Sequence, residues 1–132
     1  MQMLEMGLDA SIQRRQVLAN NIANVDVPNF KRSETVFEME LKRAVESEQK
    51  ENEEPAIQTL HPGHIGRREG RDYRTVQPRI VTDYNSSMRN DGNNVDIEDE
   101  VTKMNRNQMH YSLMVDQLGG KLRLLNSLIR LS

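Results

Sequence analysis

Val101, Met104, Gln108, Tyr111, Val115, Leu118, Leu122, Leu125 and Ile129 follow one another at alternating spacings of three and four without a slip. No other feature constrains the chain as much, because this is the heptad of a helix that offers one seam to a partner. Asp96 is placed to cap it, and Glu98, Asp99 and Glu100 put negative charge in a first turn whose free amides favour it. The pattern predicts a helix from Ile97 to about Arg130, roughly 50 Å long at ~1.5 Å per residue. A compact domain of 132 residues cannot cover such a rod, so a second helix must run along most of it. Gly119-Gly120 interrupts the pattern, at a cost of about 1 kcal/mol for each glycine relative to alanine. The pair reads either as a tolerated weak spot or kink, or as a place where a neighbouring helix comes close.

The N-terminus supplies a second rod. Met1, Leu4, Leu8, Ser11, Arg15, Leu18, Ile22 and Val25 repeat the same alternation, with Ser11 and Arg15 as flaws in the stripe that leave this helix weak alone. It is predicted to begin near Met3. Pro28 lacks an N–H and disfavours helix before it, and Asn24 suits a left-handed cap, so the helix should stop near Asn24, with Phe30 folding back as an anchor. The predicted fold is mainly α, with long N- and C-terminal helices paired as an antiparallel coiled coil around an irregular middle. The segments run 1–45, 46–94 and 95–132 within one structural domain. Val36, Phe37, Met39, Leu41 and Val45 read as a third, short helix, and Glu46 to Glu54, with five Glu against one Lys, as a solvated linker. Beyond it, turn formers and charge dominate. Only Thr75-Val76 and Arg79-Ile80-Val81-Thr82 look like strand, enough for a small hairpin or a loop ordered by a partner.

Chemistry is poorly provided for. A formal net charge of −2 argues against nucleic acid, which calls for a basic face. The chain has no Cys, which removes disulfides and thiolate catalysis and suits a reducing cytoplasm or a periplasm alike. His61-Pro62-Gly63-His64 is an incomplete metal-ligand set, and Asp91 to Asp96 departs from a calcium loop at Val95, Asp96 and Thr102. Arg67, Arg68, Arg71 and Arg74 alternate with Glu69 and Asp72, as in a solvated loop. There is no phosphate-binding glycine loop, no serine elbow and no carboxylate pair in an apolar setting. No enzyme, cofactor, metal site or small-molecule substrate is expected. Hydrophobic residues are 36% and aromatics 4%, lean for a globule that must offset its chain entropy alone. Burial between chains is the remedy. No apolar run is long enough to cross a bilayer and no cleavable signal peptide is evident, so any exit from the cytoplasm is expected to take another route.

Ala19-Asn20-Asn21-Ile22-Ala23-Asn24-Val25-Asp26, followed by Pro28-Asn29-Phe30-Lys31, closely resembles the signature near the N-terminus of bacterial flagellar rod and hook proteins. Within that axial family, Met88 with Gly92-Asn93-Asn94-Val95-Asp96-Ile97 and the later Asn107-Gln108, Tyr111 and Leu118 look like a subunit of the proximal rod. The pattern differs by one hydroxyl at Val27 and at Phe30. The resemblance implies terminal helices paired as an inner coiled-coil layer, stacked with copies and related subunits into a tube that transmits motor torque. It implies a place at the flagellum basal body in the periplasmic space, reached unfolded through the flagellar type III export apparatus without a cleaved signal peptide. The implied partners are copies of the chain and other rod subunits, the adaptor joining rod to membrane ring, and the export gate. Asn20 and Asn24 lie one turn apart and Asn21 flanks the seam, so their amides can bond neighbouring backbone and fix register; Asn24 can equally serve as a cap. The other reading of the same heptads is a cytoplasmic coiled-coil adaptor or export chaperone that holds them in a soluble dimer.

Overall fold

A computed structural model describes residues 1–53 and 71–131. His61, His64, Arg67 and Arg68, and the turn formers around them, lie outside the described residues. The chain divides into two compact units, Met1–Val36 with Pro78–Ser132, and Phe37–Gln77.

The first unit is mainly α. Its helix α1 spans Gln2–Ala23, and α3 spans Ile97–Leu131, 35 residues and therefore roughly 52 Å. A two-stranded antiparallel ribbon, β1 (Ser33–Val36) with β2 (Arg79–Thr82), pairs Ser33 with Thr82 and Val36 with Arg79. The predicted strand over 79–82 is present, and its partner lies upstream of the middle segment rather than at Thr75-Val76. Thr75 instead ends a 3-10 turn, Tyr73–Thr75.

Three contacts set the helix pairing. Asn21 meets Glu100, the Ser11 carbonyl accepts from Asn107, and Gly7 lies against Met114, where an added Cβ would come within 2.9 Å of the sulfur. As α1 runs backward, α3 runs forward, so the pair is antiparallel. Continued, that register sets Met1 about level with Gly120, and residues 121–131 extend beyond α1 for roughly 16 Å. Every described side chain there is exposed.

The face that α3 turns to α1 sits one residue before the predicted heptad: 100, 107 and 114 in place of 101, 108 and 115. One position on a helix is about 100°, so Val101, Gln108 and Val115 turn to the side and are exposed, while Met104, Tyr111 and Leu118 stay within about 40° of the contact line and are half-buried. The interior of this unit buries Ala10, Val17, Leu18 and Val95, but also Ser11, Asn21, Thr35, Asn93, Asn94, Glu100 and Asn107. Polar side chains outnumber apolar ones there, so hydrogen bonding fixes the packing as much as hydrophobic burial does.

The second unit contains α2, Glu38–Glu53. The third helix is thus present, and it continues over residues 46–53, within the expected linker. Glu, Gln and Lys are strong helix formers even without an apolar face, which is how a polar run continues the helix. Ala44 and Phe37 are buried, and Arg71 reaches back to the Glu40 carboxylate at 3.3 Å.

Candidate assembly interface

The asparagine-rich segment ending α1 is the focus of the first unit. Asn21 is 0% exposed. Its Nδ2 donates to the Ser33 carbonyl and to Glu100 Oε2, both at 2.8 Å, and its Oδ1 accepts from the Ser33 amide at 3.0 Å. One side chain thereby copies a strand edge toward β1 and ties α1 to α3. Glu100, 1% exposed, takes Arg32 Nε at 3.4 Å and Lys103 Nζ at 3.7 Å on its other oxygen. A buried carboxylate is costly unless paired and hydrogen-bonded; here two cations and an amide surround it.

Helix α1 ends as predicted near Asn24, by a different device. Asn24 has φ −107°, outside the left-handed region, and its side-chain Nδ2 donates back to the Asn20 carbonyl at 2.7 Å. The carbonyls of the turn that follows the helix also need donors. Asn93, 69 residues downstream of Asn24, supplies them: its Nδ2 lies 3.1, 3.0 and 2.9 Å from the carbonyls of Asn24, Val25 and Val27. Asn94 closes the other side, accepting from the Arg32 amide at 2.7 Å and donating to the Asp83 carbonyl at 2.9 Å. Lys31 Nζ bonds the carbonyls of Ser86 and Gly92, and Asn29 N–H reaches the Asp91 carbonyl. Gly92 has φ +81°, a backbone angle that favours glycine, and a Cβ there would sit 2.7 Å from Asn29 Oδ1, so that exposed side chain would have to move aside. The two motifs read separately from the sequence are thus halves of one interlocked polar joint. Within it Ala19, Asn20, Ala23, Asp26, Pro28 and Asn29 stay exposed, while Ile22, Val25 and Phe30 are half-buried.

Sequence reasoning missed Glu100, Asn93 and Arg32 as structural partners of the motif. In the sequence Glu100 stands out only as charge for a helix start, and Asn93 only within the resemblance and the rejected calcium loop. The Gly92-Asn93-Asn94 run was the one available signal.

Two carboxylates in this region titrate low. The Ser86 hydroxyl, helped by the Asn85 and Ser86 amides, holds the Asp83 carboxyl below the usual range. The Lys103 ammonium does the same for Asp99. Both bind a proton less readily folded than unfolded. Their stabilisation is therefore complete above the ordinary aspartate value of about 3.9 and is lost as pH falls through the lower folded values. Urea midpoints should drop below about pH 4, and Asp83→Asn should make that drop shallower. An acid limb identical in the variant would remove Asp83 from the account.

Of the predicted seam, Leu18 is buried, and Leu4, Leu8, Met104, Tyr111 and Leu118 are half-buried. Val101, Gln108, Val115, Leu122, Leu125 and Ile129 are exposed, Leu122 at 46% and Ile129 at 71%. Apart from Gln108 these are apolar side chains left open, and extensive exposed apolar surface marks a binding face. Gly119 and Gly120 lie within the continuous helix, and a Cβ at Gly120 would meet nothing within 4 Å. No helix among the described residues is long and apolar enough to cross a membrane.

A polar joint that fixes shape, beside an apolar rod left open, defines a structural subunit whose surfaces are finished by its neighbours. The family model of flagella basal body rod proteins matches residues 1–31. The chain is 42% identical to the flagellar basal body rod protein FlgB of Borrelia hermsii over 109 residues, 83% of this chain and 79% of that relative. It is 43% identical to FlgB of Borreliella burgdorferi over the same shares, and 30% identical to FlgB of Bacillus subtilis over 97% of this chain and 91% of the relative. The chain belongs to the FlgB family of proximal flagellar basal-body rod proteins. It is a structural subunit that assembles with other rod subunits at the basal body, and no enzyme.

Proposed function

We propose that the chain builds the rod through two surfaces with separate duties. The joint of Asn21, Asn24, Asn93, Asn94 and Glu100 sets the angle and register between α1 and α3. The outward stripe of Val101, Val115, Leu122, Leu125 and Ile129 packs against terminal helices of copies and related subunits, forming the axial tube that carries torque. In this reading the remaining motif residues, Ala19, Asn20, Ala23, Asp26, Pro28 and Asn29, present the exposed side of the joint to the next subunit. The single observation that carries it is the exposure of Val101, Val115, Leu122, Leu125 and Ile129 on α3, beside a contact with α1 made by Glu100, Asn107 and Met114.

The same reading places the subunit in the periplasmic space. It is delivered there through the flagellar type III export gate without a cleaved signal, and it meets the adaptor between rod and membrane ring. The test is circular dichroism with size-exclusion chromatography over a wide concentration range. Helix content and apparent mass should rise together as the stripe finds partners. A fully helical monomer that never associates would overturn the proposal, and a dimer stable at every dilution would favour a soluble adaptor instead.

A further inference from the structure

Helix α1 buries Ala10, Ser11, Val17, Leu18 and Asn21. Roughly 180° round the helix, Asp9, Ile12, Gln16, Ala19 and Ala23 form an exposed line at alternating spacings of three and four. Helix α3 carries a matching line on the side away from Glu100, Asn107 and Met114. There Met109, Leu113, Asp116, Gly120 and Arg123 repeat the same steps, about 100° further round than Val101 and Val115. Met109 is 68% and Leu113 57% exposed, and neither belongs to the stripe assigned above.

Laid antiparallel, the two lines answer one another position by position. Arg123 comes level with Asp9, Gly120 with Ile12, Asp116 with Gln16, Leu113 with Ala19 and Met109 with Ala23. The two large exposed apolar side chains thus meet alanines, and Ile12, itself 37% exposed, meets a residue without a Cβ. A guanidinium meets a carboxylate at Arg123 and Asp9, and the Gln16 amide can donate to Asp116 with the Arg15 guanidinium beside it. Asp9, Arg15, Asp116 and Arg123 make no ion pair among the described residues, so all four charges are available. Gly120 carries weight of its own. Glycine is disfavoured in a helix interior, and a Cβ there would meet nothing within 4 Å in the lone subunit, so the gap serves nothing inside it.

We propose that this side of α3 in one copy of the chain docks on the outward side of α1 in a second copy, in that register. The α1 of the second copy then sits about three turns further along α3 than the α1 of the first. Its Met1 comes level with Leu131, alongside the turns that the first copy leaves uncovered. The contact rests on the rod-subunit reading and specifies which faces of two copies meet.

Sedimentation of the full chain tests it with Asp9→Arg, Arg123→Asp and the double variant. Both sites are exposed, and circular dichroism checks that each variant folds. Each single reversal should weaken self-association about tenfold, and the double should restore it to within a factor of about three. The chain has no Cys, so Ala19→Cys and Leu113→Cys give a second readout. Mixed and oxidised with diamide, these two variants should form a disulfide-linked pair, whereas neither should do so alone, because the contact joins unlike faces. Reversals without effect, a double that stays weak, or association without the mixed disulfide would overturn the contact. Where association persists in that case and Leu122→Asp abolishes it, the stripe stands and only this face fails. A chain that associates at no concentration would remove the subunit reading and this contact with it.

Discussion

Replacing Asn21 by alanine should lower the unfolding free energy of the chain by about 3–5 kcal/mol, among the largest single effects available. The side chain is fully buried and satisfies the amide and carbonyl of Ser33 as well as one oxygen of Glu100. Alanine leaves all three without a partner, and each orphaned group costs about 1–3 kcal/mol, more where it is charged. Asn21→Asp should be worse, since it sets a second carboxylate at hydrogen-bond distance from the first. Urea unfolding followed by circular dichroism measures both. A loss under about 1 kcal/mol for the alanine variant would mean that the joint tolerates water in place of the amide.

Leu122→Asp should do the opposite: leave the fold and abolish assembly. Leu122 is 46% exposed and lies beyond the reach of α1, so its replacement should change the stability of the dilute chain by no more than about 0.5 kcal/mol. In the rod it would put a charge into an apolar contact, which is strongly unfavourable when unpaired. Cells carrying only the variant should lack rods in basal-body preparations and should not swim in soft agar. Working rods would show that the outward stripe is not the contact between subunits.

The two effects part along the line that sequence reading drew imperfectly. Both terminal helices were legible, down to the Asp96 cap, whose Oδ1 accepts from the Glu98 amide at 3.0 Å, because caps and three-four spacing act locally. Which face of α3 meets α1 was legible only in part: Met104, Tyr111 and Leu118 are half-buried, whereas Val101, Gln108 and Val115 are exposed. The answering positions are Glu100 and Asn107, and a search for apolar periodicity passes over polar residues that are buried because they are paired. The extension of α2 over 46–53 was missed for the same reason, as a helix without an apolar face has no periodic signal. Strand β1 was hidden in Ser33-Glu34-Thr35-Val36, four residues whose pairing depends on a segment more than forty positions away. The motif asparagines were singled out, but their partners at 93, 94 and 100 belong to tertiary structure.

The leucines between 121 and 130 are exposed in the lone subunit. In the rod proposed above, a copy that covers them with a different face leaves its own bare for the next. Contacts of that heterologous kind give a ring where the rotation closes and a filament where it does not. Growth with a direction would then follow from one helix whose apolar side is answered only by a neighbour.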